Sequence, residues 1–444
     1  MSDQKTEKKY FANRLSSTRA CGALINDHWN AVFNAPAEGV PVCWYDGYTI
    51  TPFLQVMGIR YAHGEAFSAL LAGRHNELLS QKVSEDRGYD RELCSYARTH
   101  MGAAYMTAHG FPAEAEGTIP TKLPKPDLMI SAYPQCTTGQ LWDDFASRLF
   151  DKLPPKFNVH IPFLWGGDTE NGLGYMEGPQ FIAARDYLKE QLYSMVEFLE
   201  GYMGKKFDWD ALSQVMADVK TSSNYRIAAM DLCTTKPAPA TFFDWTVAIG
   251  PVSFVNAGPD NIACFKAIYD EIKERYDNGI GEVPNERYRL YWDGIMNWNK
   301  VGWLSEKFAS YDCAMVAGRY TNAGFWPMPE LIDPENPMDG IAANILCCPS
   351  NHAIPPLKQL TQELTEKYSI DGVVFHTSRT CRSLTNPQLV LQEYTSRMLG
   401  LSTMSFEGDV TDASFYQDEI LNTHLEALLE AIDARRAQIE RLKA

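Results

Sequence analysis

The sequence predicts an α/β protein built on two separate parallel sheets, and three observations carry that expectation. Short β-rich runs alternate with helical patterns near both ends of the chain, the signature of doubly wound sheets. The stretch between them holds apolar residues at helical spacing instead. A chain of 444 residues, 45% hydrophobic and 12% aromatic, is also long enough to bury two or three cores.

In the first region Val40 to Thr49 (VPVCWYDGYT), Ile59 to Gly64, Asp127 to Tyr133 (DLMISAY) and Asn158 to Trp165 (NVHIPFLW) read as strands. In the middle, Phe181 to Phe207 carries Ile182, Leu188, Leu192, Met195, Val196 and Leu199 near the 3.6-residue period, so this section reads as helical. Tyr288 to Ile295 (YRLYWDGI), Cys313 to Tyr320, Gly372 to Thr377 and Thr403 to Phe406 supply the second set of strands. The chain closes on a long amphipathic helix marked by Leu421, Leu425, Leu428, Ile432, Ile439 and Leu442, with Arg435, Arg436, Arg441 and Lys443 near its negative end. The organisation expected is an N-terminal α/β domain over residues 1–170, a mostly helical connecting section over 171–283, and a C-terminal α/β domain over 284–444. Both sheets are expected to be Rossmann-like (flavodoxin-like).

A net charge of −16 opposes the basic footprint of a nucleic-acid binder. No run approaches the roughly 18 apolar residues of a membrane span, and the N-terminus has no apolar signal core. No nucleic-acid or membrane partner is therefore expected, and the expected location is the cytoplasm. Ten cysteines without a leader read as reduced thiols and possible metal ligands. The chain has no C-x-x-C, so any metal site must gather its ligands from distant segments.

Three cysteines stand out by position. Cys136 follows the strand DLMISAY at the start of a helix, on the crevice edge where parallel sheets bind ligands. There a helix N-terminus favours the thiolate. Cys381 follows the strand GVVFHT in the second domain, beside Arg379 and Arg382, and Cys94 sits at a helix start with Arg98 one turn on. Three thiolates from three segments can converge and leave one iron of a four-iron cluster open. Cys21, Cys233, Cys264, Cys313, Cys347 and Cys348 read as small buried hydrophobes, and Cys43 as a possible neighbour of the site.

The order DLMISAYPQC, DGVVFHTSRTC, LSTMSFEGDVTD, together with PVCWYDGYTITPFLQVMGI, ELCSYARTHMG and RLYWDGIMNW, resembles the cluster-binding subunits of the 2-hydroxyacyl-CoA dehydratase and benzoyl-CoA reductase family. In wording it is most similar to the larger subunit of ATP-dependent benzoyl-CoA reductase. The resemblance implies a [4Fe-4S] cluster on Cys94, Cys136 and Cys381. It further implies a smaller homologous cluster-binding subunit, an ATP-hydrolysing iron–sulfur activator, and a ferredoxin or similar donor upstream. ATP is expected only on partner subunits, in keeping with the absence here of G-x-x-x-x-G-K-[ST] and G-x-G-x-x-G.

The activity implied is reductive dearomatisation of an aryl-CoA thioester to a cyclic diene. Dehydration of a 2-hydroxyacyl-CoA, electron transfer or scaffolding without catalysis, and a zinc-bound structural role are the alternatives. Against dehydration, Thr51, Pro52, Phe53 and Leu54 stand where dehydratases of the family often carry an acidic residue. Candidate proton donors are His63, His100 and His376. Trp44, Tyr45, Tyr48, Trp292 and Trp298 are candidates for the walls of an apolar substrate pocket, with core packing as their other reading.

Overall fold

A helix over Thr18–Glu38 ends at Gly39, which takes φ 68° and turns the chain into the first strand. The computed structural model describes residues 11–443 apart from 48–49, 112–120, 134–135, 166–177 and 256. Within it β1 (Val42–Gly47), β2 (Arg60–His63), β3 (Leu128–Ala132) and β4 (Lys156–Asn158) form a parallel sheet in the order β2-β1-β3-β4. A second parallel sheet repeats the pattern, with β5 (Tyr288–Asp293), β6 (Cys313–Gly318), β7 (Gly372–Ser378) and β8 (Ser402–Gly408) in the order β6-β5-β7-β8. The strand order in each sheet reverses between its first and third strands, the doubly wound arrangement. The protein is thus an α/β molecule with two Rossmann-like sheets.

The inner strands β1, β3, β5 and β7 are buried along almost their whole length because helices cover both faces of each sheet. Successive residues consequently enter different cores. Trp44 of β1 and Trp292 of β5 share one core lying between the two sheets, whereas Cys43 and Tyr45 face the opposite side, among Leu188, Leu192 and Met195. Those last three come from the helix Pro179–Met203, which opens on a proline and closes at Gly204 with φ 65°. The helix Pro337–Leu346, from the second half of the chain, packs into this same core through Ile341, Ala342 and Ile345. The two halves are therefore interlocked.

Two expectations need correction. The run Asn158 to Trp165 is not a strand: β4 ends at Asn158, and only Leu164 pairs again, in a single bridge to His352. Pro162 cannot donate to a ladder. Its carbonyl accepts from Asn351 instead, while the Leu164 amide donates to Asn351 O at 3.0 Å. The terminal helix, Asp418–Lys443, buries Leu421, Leu425, Leu428 and Ile432 behind the second sheet, but Ile439 and Leu442 at its end are exposed. Among the described residues no helix is long and apolar enough to cross a membrane.

Candidate functional site

Cys94, Cys136 and Cys381 share one local geometry. Each is the N-cap of a helix, heading Ser95–Ala108, Thr137–Ser147 and Arg382–Thr385 in turn. Cys136 follows β3 and Cys381 follows β7, equivalent strands of the two sheets, each beside its switch in strand order. The Cys136 sulfur accepts from the Gly139 amide at 3.3 Å. Ala97 and Leu384 offer their amides to the other two sulfurs from the same third position and favour the thiolate. These three are the partly buried cysteines of the chain; the other seven are buried.

All three border a single cavity of about 440 Å³ between the sheets. Its walls are largely apolar and aromatic, with Trp29, Tyr96, Trp142, Trp298, Tyr320 and Trp326 among them. Burial, then the neighbouring thiols Cys381 and Cys136, holds the Cys94 thiol well above its ordinary value. Burial pushes Cys136 up to about 11 and Cys381 up to about 12. An apolar hollow disfavours the charged form of all three thiols unless a nearby cation offsets it.

The segments carrying Cys94 and Cys381 are tied together by Asp409, a wholly buried carboxylate. Its oxygens accept from the Ser95 hydroxyl and, at 2.9 Å, from the Thr380 amide, while the Ser95 amide donates to Thr380 Oγ1 at 2.9 Å. Ser95 and Thr380 are the chain neighbours of the two cysteines. Two of the arginines near the thiols are engaged elsewhere. Arg98 is buried in ion pairs with Glu85 and Asp412, and Arg379 pairs with Glu92 and Glu407 at the surface.

Among the described residues one carboxyl group borders the cavity: Glu65 is pushed up to about 7 by burial and then by the nearby Asp143 carboxyl. His63 is the N-cap of the helix Gly64–Gly73 that carries Glu65. Its Nδ1 accepts from the Ala66 amide at 3.2 Å and its Nε2 donates to Gly47 O at 3.0 Å. Asp46 accepts from the Glu65 amide at 3.0 Å. Burial raises both Asp46 and Asp143, and the two buried acids face each other behind the cavity wall.

A family model described as 2-hydroxyglutaryl-CoA dehydratase, D-component, matches residues 51–432, a span that includes all three thiols and every strand but β1. The chain belongs to this family. Relatives match over nearly the same length. The (R)-2-hydroxyisocaproyl-CoA dehydratase alpha subunit of Clostridioides difficile is 23% identical over 428 residues, 95% of this chain and 98% of its own. The alpha subunit of lactoyl-CoA dehydratase from Anaerotignum propionicum is 25% identical over 414 residues, 91% and 94%. A benzoyl-CoA reductase subunit of Thauera aromatica is 22% identical over 367 residues, 80% of each.

In this D-component family chain the donor set, three thiols around one apolar hollow, fits an iron–sulfur cluster. Cysteine thiolates are the ordinary ligands of such clusters.

The other expected site residues divide sharply. His63 and Trp298 border the cavity. His100 is buried, accepting on Nδ1 from the Trp142 indole at 2.8 Å, and burial lowers it to about 3. His376 is buried in β7 and donates from Nδ1 to Ile295 O at 2.6 Å. Trp44, Tyr45 and Trp292 are core residues that do not border the cavity, and neither does Cys43. Tyr48 lies outside the described residues. Cys348, read as a core thiol, is buried yet stands in the cavity wall with its sulfur 3.0 Å from Ser350 Oγ.

The lack of an acidic residue across Thr51 to Leu54, expected to argue against dehydration, carries no such weight in the fold. These four residues are buried and do not border the cavity, so their lack of charge says nothing about proton chemistry there. Glu65, in the first turn of the helix Gly64–Gly73, borders the cavity and had drawn no attention in the sequence.

Proposed function

We propose that the chain is the cluster-holding subunit of a two-subunit enzyme that acts on CoA thioesters and reductively dearomatises an aryl-CoA. Cys94, Cys136 and Cys381 would hold a [4Fe-4S] cluster. The observation that carries this reading is that the chain's three partly buried cysteines all line one apolar, aromatic cavity. When bound, such a cluster supplies single electrons at low potential. A smaller homologous subunit, an ATP-hydrolysing iron–sulfur activator and a ferredoxin-type donor complete the system, and ATP binds only to the activator.

The chain's own residues have three tasks. Trp142, Trp298, Tyr320 and Trp326 offer flat apolar faces to an aromatic acyl group and exclude water that would otherwise consume electrons. Glu65, poised near neutrality, holds or releases a proton at its carboxyl oxygen. His63 anchors the turn before Glu65, because both of its ring nitrogens are already engaged.

Dehydration of a 2-hydroxyacyl-CoA is the second reading. Two observations favour it: Glu65 gives the cavity an acid–base group, and the two dehydratase alpha subunits match more of the chain than the benzoyl-CoA reductase relative does. Turnover of the anaerobic complex with benzoyl-CoA and with 2-hydroxyisocaproyl-CoA, while oxidation of the electron donor is followed, separates the two. Ring reduction consumes donor in step with product. Many molecules dehydrated for each electron delivered would replace the first reading with the second, and no turnover of either thioester by the complete system would end both.

A further inference from the structure

Among the described residues lining the cavity, two buried hydrogen-bond donors have no partner: the Tyr133 hydroxyl and the Trp29 indole N–H. Leaving such a donor unpaired in an apolar wall is costly, so each one needs an explanation. Trp29 packs against Phe67 and Phe254. Tyr133 belongs to the thiol end: it follows β3, stands three residues before Cys136, and is 4% exposed.

Its ring is held firmly. It stacks on Trp142 with centroids 6.3 Å apart and planes at 24°, and it lies so close over Gly139 that a Cβ there would come within 2.1 Å of the ring. Gly139 is also the residue whose amide meets the Cys136 sulfur. Room for the tyrosine ring and support of the thiol are thus provided by one residue.

We infer that the Tyr133 hydroxyl donates a hydrogen bond to the carbonyl oxygen of the bound thioester. The inference rests on the CoA-thioester reading. An acyl-CoA entering this hollow brings a carbonyl oxygen as the acceptor next to its reacting carbon, and negative charge grows on that oxygen when the thioester is reduced. A neutral donor fixed by stacking is suited to meet it.

The test is binding of two probes to the anaerobic, cluster-loaded complex: benzoyl-CoA, and the thioether S-benzyl-CoA, which lacks the carbonyl. Wild type is expected to prefer the thioester roughly tenfold or more, and Tyr133→Phe to bring the ratio close to one with iron content unchanged. A wild-type ratio near one overturns the inference even if the variant fails to fold. So does an undiminished preference in Tyr133→Phe. A wild type that binds neither benzoyl-CoA nor a 2-hydroxyacyl-CoA defeats the functional reading itself, a result distinct from either of these.

Discussion

His376 shows how a residue with catalytic chemistry can be committed to the core. It is fully buried on β7, its Nδ1–H is given to Ile295 O, and its ring packs against Trp292 and Phe406. Burial lowers it to about 4 in the fold, against ~6.5 in an unfolded chain. Its neutral form therefore stabilises the fold fully above pH ~6.5, and that contribution is lost as pH falls toward the folded value. At ~1.4 kcal/mol per pH unit, urea unfolding of His376→Gln should show about 1–2 kcal/mol less loss between pH 7 and 5 than wild type. Equal slopes would mean that His376 is not held neutral. Nothing in DGVVFHTS distinguishes such a histidine from a proton donor, because alternation along a strand reports a face and not what covers it. Glu65 was missed for the converse reason: a single glutamate at a helix start looks like a solvated charge until the fold closes over it.

At the scale of elements, the site depends on three helix starts being held in place. Two of them meet through Asp409, which accepts from groups next to Cys94 and Cys381. Removing it leaves the Ser95 hydroxyl and the Thr380 amide without a buried acceptor, so Asp409→Ala should lose roughly 2–4 kcal/mol of stability. The same variant should retain less iron through gel filtration than wild type. Full stability and full iron retention would show that the tie is dispensable. The strand ends from which Cys136 and Cys381 project were readable, because β-rich runs followed by helical spacing fix where a parallel strand stops. Strand β4 was not, since an apolar run containing Pro162 satisfies the same pattern without joining a ladder. The apolar stripe of the last helix likewise overstated its buried length, for Ile439 and Leu442 extend past the sheet that covers Leu421 and Leu425.

For the whole molecule, two sheets of the same strand order place Cys136 and Cys381 at matching positions, and Cys94 joins them across one cavity. The α/β class, both sheets and the three positioned cysteines were legible from local pattern and motif order. The cavity was not, because its walls come from segments far apart in the chain: Trp29, Glu65, Tyr133, Tyr320 and Cys348 share no periodicity or spacing that would group them. Interlocking of the halves through Pro337–Leu346 was hidden for the same reason, since a helix's apolar face does not name its partner sheet. Everything proposed for the molecule turns on these three thiols together holding a four-iron cluster. The decisive measurement is iron and sulfide content with electron paramagnetic resonance, on anaerobically purified wild type beside Cys94→Ala, Cys136→Ala, Cys381→Ala and Cys264→Ala. About four irons per chain are expected in wild type and Cys264→Ala, with a signal lost or altered in each of the other three. Wild-type protein that stays free of iron after reconstitution, or a signal untouched in those three variants, would be incompatible with a cluster at this site.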